Sequence, residues 1–176
     1  MKITILNGSP RANGNTEIMA KEFEKGAKEA GHEVTLINLA GKKVTGCIGC
    51  QYCFSHNGEC VQKDDMADIL QVLDKTDLVV FASPIYWFDI TAQLKCVIDR
   101  MYARGKIGFN FTKTALLLDS GANGVYEAAL AQYKAMCSYL KWESVGEICI
   151  PNMTQKGSMN TSAMLQNVYE LGKSLE

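Results

Sequence analysis

Lys2-Ile3-Thr4-Ile5-Leu6-Asn7-Gly8-Ser9-Pro10-Arg11-Ala12-Asn13-Gly14-Asn15-Thr16 is the stretch that decides the fold. Its first part, Lys2–Leu6, is a short apolar run with β-branched residues, which reads as a strand. A loop of small, hydroxyl and amide residues follows. Then Met19, Phe23, Ala27 and Ala30 recur at helical spacing up to Gly31, a helix-stop signal. The unit is strand, loop, helix.

Outward from this unit the same alternation repeats. Further strands are expected over Glu33–Leu39, Asp77–Ala82, Thr114–Asp119 and Gly146–Ile150, the last stopped by Pro151. Most are near-continuous apolar runs, as in a parallel sheet covered on both faces. Helical stripes separate them: Met66/Ile69/Leu70/Leu73 after Asp64-Asp65, Leu94/Val97/Ile98/Met101, Tyr126/Leu130/Tyr133/Cys137/Leu140, and Leu165/Val168/Leu171. The order implies one α/β domain over residues 1–176, a doubly wound five-stranded sheet with helices on both faces. Such sheets bind ligands beyond the carboxyl ends of their strands, so the loops after strands one, three and four are the places to look.

The first loop collects Ser9, Arg11, Asn13, Asn15 and Thr16 at a helix start, where free N–H groups and the helix dipole favour an anion. It lacks the Gly-Lys-Ser/Thr of a P-loop and the G-x-G-x-x-G of a dinucleotide fold, which argues against an ATPase and an NAD dehydrogenase of those types. The loop after strand three, Pro84-Ile85-Tyr86-Trp87-Phe88, sets three successive aromatics at a sheet edge. A flat heteroaromatic ring would cover them, as would a neighbouring helix or a second subunit. Ser120 and Gly121, after strand four, leave room for a ligand near the backbone.

The motifs Gly-Ser-Pro-Arg-x-Asn-Gly-Asn-Thr (8–16), Ser-Pro-Ile-Tyr-Trp (83–87) and Leu-Lys-x-x-Ile-Asp-Arg (94–100) resemble those of the NADPH-dependent FMN reductase group of flavodoxin-like proteins. The resemblance implies a flavodoxin-like three-layer sandwich with strand order 2-1-3-4-5. It implies FMN, with phosphate on Ser9, Arg11, Asn13, Asn15 and Thr16, and ring against Pro84, Ile85, Tyr86 and Trp87, with Ser120 and Gly121 nearby. It further implies NAD(P)H as co-substrate, a small-molecule acceptor such as a quinone or flavin, and a homodimer or homotetramer. Bound flavin would carry the redox chemistry, so no side-chain acid, base or nucleophile is expected.

Four of seven cysteines, Cys47, Cys50, Cys53 and Cys60, follow strand two at C-x2-C-x2-C-x6-C spacing. The first three positions match ferredoxin-type spacing, and the set resembles the iron-sulfur flavoproteins, a branch that carries a [4Fe-4S] cluster beside FMN. A zinc site would normally use two separated pairs, and a thioredoxin-like C-x-x-C would open a helix. Free thiols in an oligomer-forming loop also match the pattern, so the residues leave cluster and thiols both open. With the cluster, the alternative function is an electron carrier partnered with ferredoxin. Cys96, Cys137 and Cys149 read as core residues, His32 as exposed, and Asp99-Arg100 as an ion pair on one helix.

A net charge of −1 gives no basic nucleic-acid surface. No apolar run is long enough to span a bilayer, and Met1–Gly8 turns polar too early for a signal peptide. A reducing, cytoplasmic setting is expected, with the cysteines as thiols or ligands.

Overall fold

The computed structural model describes residues 1–176. Five strands, β1 (Lys2–Asn7), β2 (Glu33–Asn38), β3 (Leu78–Pro84), β4 (Lys113–Asp119) and β5 (Glu143–Ile150), form one parallel sheet in the order β2-β1-β3-β4-β5. The helices are α1 (Asn15–Glu29), α2 (Tyr52–Ser55), α3 (Met66–Leu73), α4 (Ala92–Met101), α5 (Glu127–Leu140) and α6 (Leu165–Lys173). This is the flavodoxin-like arrangement. Two features differ from expectation. The single turn α2 lies inside the cysteine loop, where no apolar period announces it. β5 starts three residues earlier, because β4 supplies pairing partners for Glu143 and Ser144.

The period-2 geometry of a strand sorts its side chains to two faces. Ile3, Ile5, Leu78, Val80, Ala82, Ala115 and Leu117 pack with Met19, Phe23 and Ala27 of α1 and Val168 of α6. Leu6, Val79, Phe81, Leu116 and Leu118 pack with α3, α4 and α5 on the other face. The inner strands β1, β3 and β4 therefore read as continuous apolar runs. The edge strands β2 and β5 are only partly buried.

α1 and α6 lie backbone to backbone. A Cβ on Gly26 would stand 2.1 Å from the Tyr169 carbonyl oxygen, and one on Gly172 would stand 2.3 Å from that of Phe23. Only hydrogen fits at either position. This contact fixes the C-terminal half of α1 against α6.

Candidate functional site

The β1–α1 loop is tied down before any ligand arrives. The Gly8 N–H donates to the Ala82 carbonyl (2.8 Å), and the Gly8 carbonyl accepts from the Thr91 hydroxyl (2.7 Å). A Cβ on Gly8 would lie 2.7 Å from both Thr91 Oγ1 and Leu94 Cβ. The Asn7 amide oxygen accepts from Ser9 N–H, and its Nδ2 donates to Asn38. Ser9 Oγ in turn accepts from Arg11 N–H at 3.2 Å.

The loop enters α1 through Gly14, an N-cap with no side-chain capping bond. The first-turn N–H groups of α1 thus lack the acceptor that Ser, Thr, Asp or Asn would supply. Glu17 bends back to accept from Asn13 N–H (2.6 Å) and pairs with Lys21 at 2.7 Å. The Lys21 contact, against some burial, holds its carboxyl below the usual range.

Nine of the eleven cofactor positions expected from the sequence line one crevice: Ser9, Arg11, Asn15 and Thr16 at one end, and Pro84, Ile85, Tyr86, Ser120 and Gly121 at the other. Asn13 and Trp87 do not line it. Asn13 takes a left-handed turn (φ 52°) on the surface. Trp87 stands 92% exposed at the tip of a tight turn.

Four of the nine have their side chains engaged with protein: Ser9, Asn15, Thr16 and Ser120. Asn15 Nδ2 donates to the Met153 and Gln155 carbonyls, and its Oδ1 accepts from Gly157 and Met159 N–H, at 2.8–3.2 Å. All four bonding positions of that amide are filled, so its side chain is no phosphate donor. It holds residues 153–159 as the third wall instead. Thr16 Oγ1 donates to the Asp119 carboxylate at 2.5 Å.

Asp119, together with Met153 and Thr154, also lines the crevice and escaped the sequence reading. Burial pushes its carboxyl up to about 6, against the Thr16 hydrogen bond and the Arg11 charge. The Ser120 and Tyr126 hydroxyls stand 2.8 Å apart beside it.

The aromatic turn is strained. Trp87 (φ 50°) and Phe88 (φ 70°) both lie in the left-handed region, closed by a Tyr86–Asp89 backbone pair. Such a turn favours Asn-Gly, and bulky residues there cost about 1–3 kcal/mol each.

Cys47, Cys50, Cys53 and Cys60 line a second, small cavity with Arg100 at its base. All seven cysteines are free. Arg100 is 2% exposed. It donates twice to Asp64 (2.7 and 3.0 Å) and once to the Thr45 carbonyl, which latches the cysteine loop to α4. Its Nε is the one buried side-chain polar atom without a partner. Burial opposes the charge on Asp64, but the Arg100 donors and the Thr45 and Met66 amides outweigh it and hold that carboxyl below the usual range.

The donor set fits an iron-sulfur cluster. Four thiolates would take one iron each, and the buried Arg100 guanidinium, with its Nε unpartnered, lines the same cavity and could balance their charge. No three His, Cys, Asp or Glu side chains are arranged to hold a single metal ion. Cys47 and Cys50 sit on an exposed, irregular stretch. The fit is therefore one of donors and charge, not of a preformed cage.

Several readings of the sequence change here. Asp99 pairs with Lys95 (2.5 Å) and not with Arg100. Neighbours in a helix point to different faces, whereas residues four apart meet. His32 is half-buried, bonded to the amino terminus and to the Leu175 carbonyl. Cys137 is buried, but Cys96 and Cys149 are only partly so.

Comparison with known proteins adds the family. The NADPH-dependent FMN reductase family matches residues 1–155. An iron-sulfur flavoprotein of Archaeoglobus fulgidus is 40% identical over 105 residues, covering 60% of this chain and 47% of that protein. The chain thus spans about half the length of that relative. An iron-sulfur flavoprotein of Methanocaldococcus jannaschii is 35% identical, covering 75% of this chain and 69% of its own length. The solved NAD(P)H:quinone oxidoreductase of Methanothermobacter marburgensis shares the fold, with TM-score 0.79 and 20% identity over 100% of this chain and 96% of the other. With its sheet order, its crevice and the match over residues 1–155, this chain belongs to the NADPH-dependent FMN reductase family.

Proposed function

We propose that the chain is an FMN-dependent oxidoreductase that passes electrons from NAD(P)H to a quinone, flavin or other small acceptor. One observation carries the reading: nine residues from three separate loops converge on one crevice beyond the ends of β1, β3 and β4. When bound, FMN supplies the redox chemistry, taking electrons as a hydride and releasing them in pairs or singly. The protein's part is to place it. Ser9, Arg11 and the uncapped amides of α1 hold the phosphate. Pro84, Ile85 and Tyr86 present one wall to the ring, and Ser120 and Gly121 leave space at its edge. Trp87 and Phe88 stand ready to cover an exposed ring face, or the second subunit of a dimer or tetramer.

The same reading gives the four cysteines a [4Fe-4S] cluster, with Arg100 as the buried positive charge beside it. The alternative, an electron carrier for ferredoxin, draws support from the exposure of Cys47 and Cys50, which would set the cluster near the surface. A net charge of −1 gives that docking little electrostatic drive. No helix is long and apolar enough to cross a membrane. The free thiols suit a cytoplasmic, reducing setting.

The test is anaerobic. Protein purified with FMN and reconstituted with iron and sulfide is scanned in the visible, then mixed rapidly with NADPH, NADH or reduced ferredoxin. Bleaching of the flavin by a nicotinamide at a catalytic rate supports the enzyme. Bleaching by ferredoxin alone supports the carrier. A protein that retains no flavin ends both.

A further inference from the structure

A carboxylate is an unexpected lining for a phosphate site. Asp119 is the only acidic side chain in the crevice, ends β4, is 4% exposed and bonds directly to Thr16. We propose that Asp119 is a proton-carrying positioning residue: it takes up one proton when the phosphate of FMN binds, and that proton frees the Thr16 hydroxyl to donate to the phosphate. The proposal rests on the reading that this end of the crevice takes the FMN phosphate.

A threonine hydroxyl has a single proton. Here it is given to the Asp119 carboxylate, so Thr16 cannot also donate to an anion. A dianionic phosphate would then stand near a second anion, with Arg11 the one cation felt by Asp119. Protonation removes both problems. The Asp119 carboxyl then donates to Thr16 Oγ1, and Thr16 donates onward. The proton comes from solvent or from the phosphate's own second ionisation.

The surroundings offer nothing else to neutralise the pair. β3 contributes Pro84 and β5 contributes Ile150 alongside Asp119. From the start of α5 comes the Tyr126 phenol, itself pushed up by burial and, in part, by the nearby Cys149 and Asp119 charges. Arg11 comes from the β1–α1 loop and is exposed. Burial already holds the Asp119 carboxyl at about 6, so little further stabilisation of the proton is needed.

The sign follows from linkage. Above the ionisation of both free partners, the complex holds one proton more than its separated components, so affinity must fall as pH rises. Dissociation constants for FMN and for riboflavin, which lacks the phosphate, are measured by flavin fluorescence at constant ionic strength. Wild type and Asp119→Asn are compared from about pH 6.5 to 8.5. For wild type, FMN binding should weaken by about tenfold per pH unit above about pH 7. Asp119→Asn should be flat, and should bind FMN more tightly than wild type at the alkaline end.

A flat wild-type profile, or a slope that survives in Asp119→Asn, overturns the proposal. So does a variant weakened equally at every pH, which would mean that an ionised Asp119 accepts from the ribityl chain. Calorimetry of wild type alone, in buffers of different ionisation enthalpy, gives an independent count. One proton taken up per FMN near pH 8 is expected, and none sinks the idea even if the variant does not fold. Riboflavin binding as tightly as FMN would instead defeat the phosphate placement, whatever Asp119 does.

Discussion

The β1–α1 loop and the cysteine loop follow the carboxyl ends of two neighbouring strands but are built in opposite ways. The first is short and anchored by backbone bonds to β3 and side-chain bonds to β2 and α4. Its backbone is fixed before any ligand binds. The second runs irregularly from the end of β2 to α3, interrupted by one helical turn, with two of its cysteines exposed. It is tied down by side chains, Arg100 to Thr45 and Asp64 and Arg104 to Gly58. A preorganised site binds without losing much conformational freedom, whereas a loosely held donor set gains its order from the group it binds. The difference therefore predicts which site survives without its cofactor: the crevice, and not the cysteine loop.

The largest effect should come from cutting the latch. Arg100→Ala removes a buried guanidinium with three hydrogen bonds and leaves the partly buried Asp64 carboxylate without its cation, and should cost about 3 kcal/mol, read as a lowered urea midpoint. If the two loops are independent, variant protein that still folds will lose its iron while keeping FMN. Loss of FMN in step with iron would show that the two sites share one framework. Next in size, Arg11→Ala should weaken FMN by about 1.5–3 kcal/mol, the range of a hydrogen bond to a charged group. Riboflavin affinity and iron content should not move, and a matching loss for riboflavin would remove Arg11 from the phosphate. The smallest effect sharpens the comparison from the other side. Replacing Trp87-Phe88 with Asn-Gly relieves two left-handed aromatics and should raise stability by about 1–2 kcal/mol, measured by urea denaturation. Reduction of FMN by NAD(P)H should slow in the same protein. A variant that is neither more stable nor slower would make the aromatic tip a bystander.

Much of the crevice was legible because its residues belong to chain-local patterns. Ser9, Arg11 and Thr16 sit between a strand and a helix that announce themselves by period, and Pro84–Tyr86 follow the most apolar strand. What each side chain does was less legible. Asn15 carries a donor suited to phosphate, yet it braces residues 153–159, more than a hundred positions away. Asp119 reads as the end of a strand until Thr16 is seen to meet it, and no spacing links those two. Asp99-Arg100 misleads for a related reason, since adjacency along a helix is not adjacency in space.

By itself, then, the sequence determined the alternation of strands and helices, the sheet's buried centre and the loops that could hold a ligand. Those follow from periodicity and from glycine, proline and capping residues, which act within a few positions of themselves. Only the tertiary structure decided which donors remain free, that a carboxylate lines the same crevice as Arg11 and Thr16, and that Arg100 and Arg104 hold the cysteine loop. Such facts depend on partners brought together by the packing of distant segments, and hydrogen-bonding capacity is finite: a group engaged with the protein is not available to a ligand.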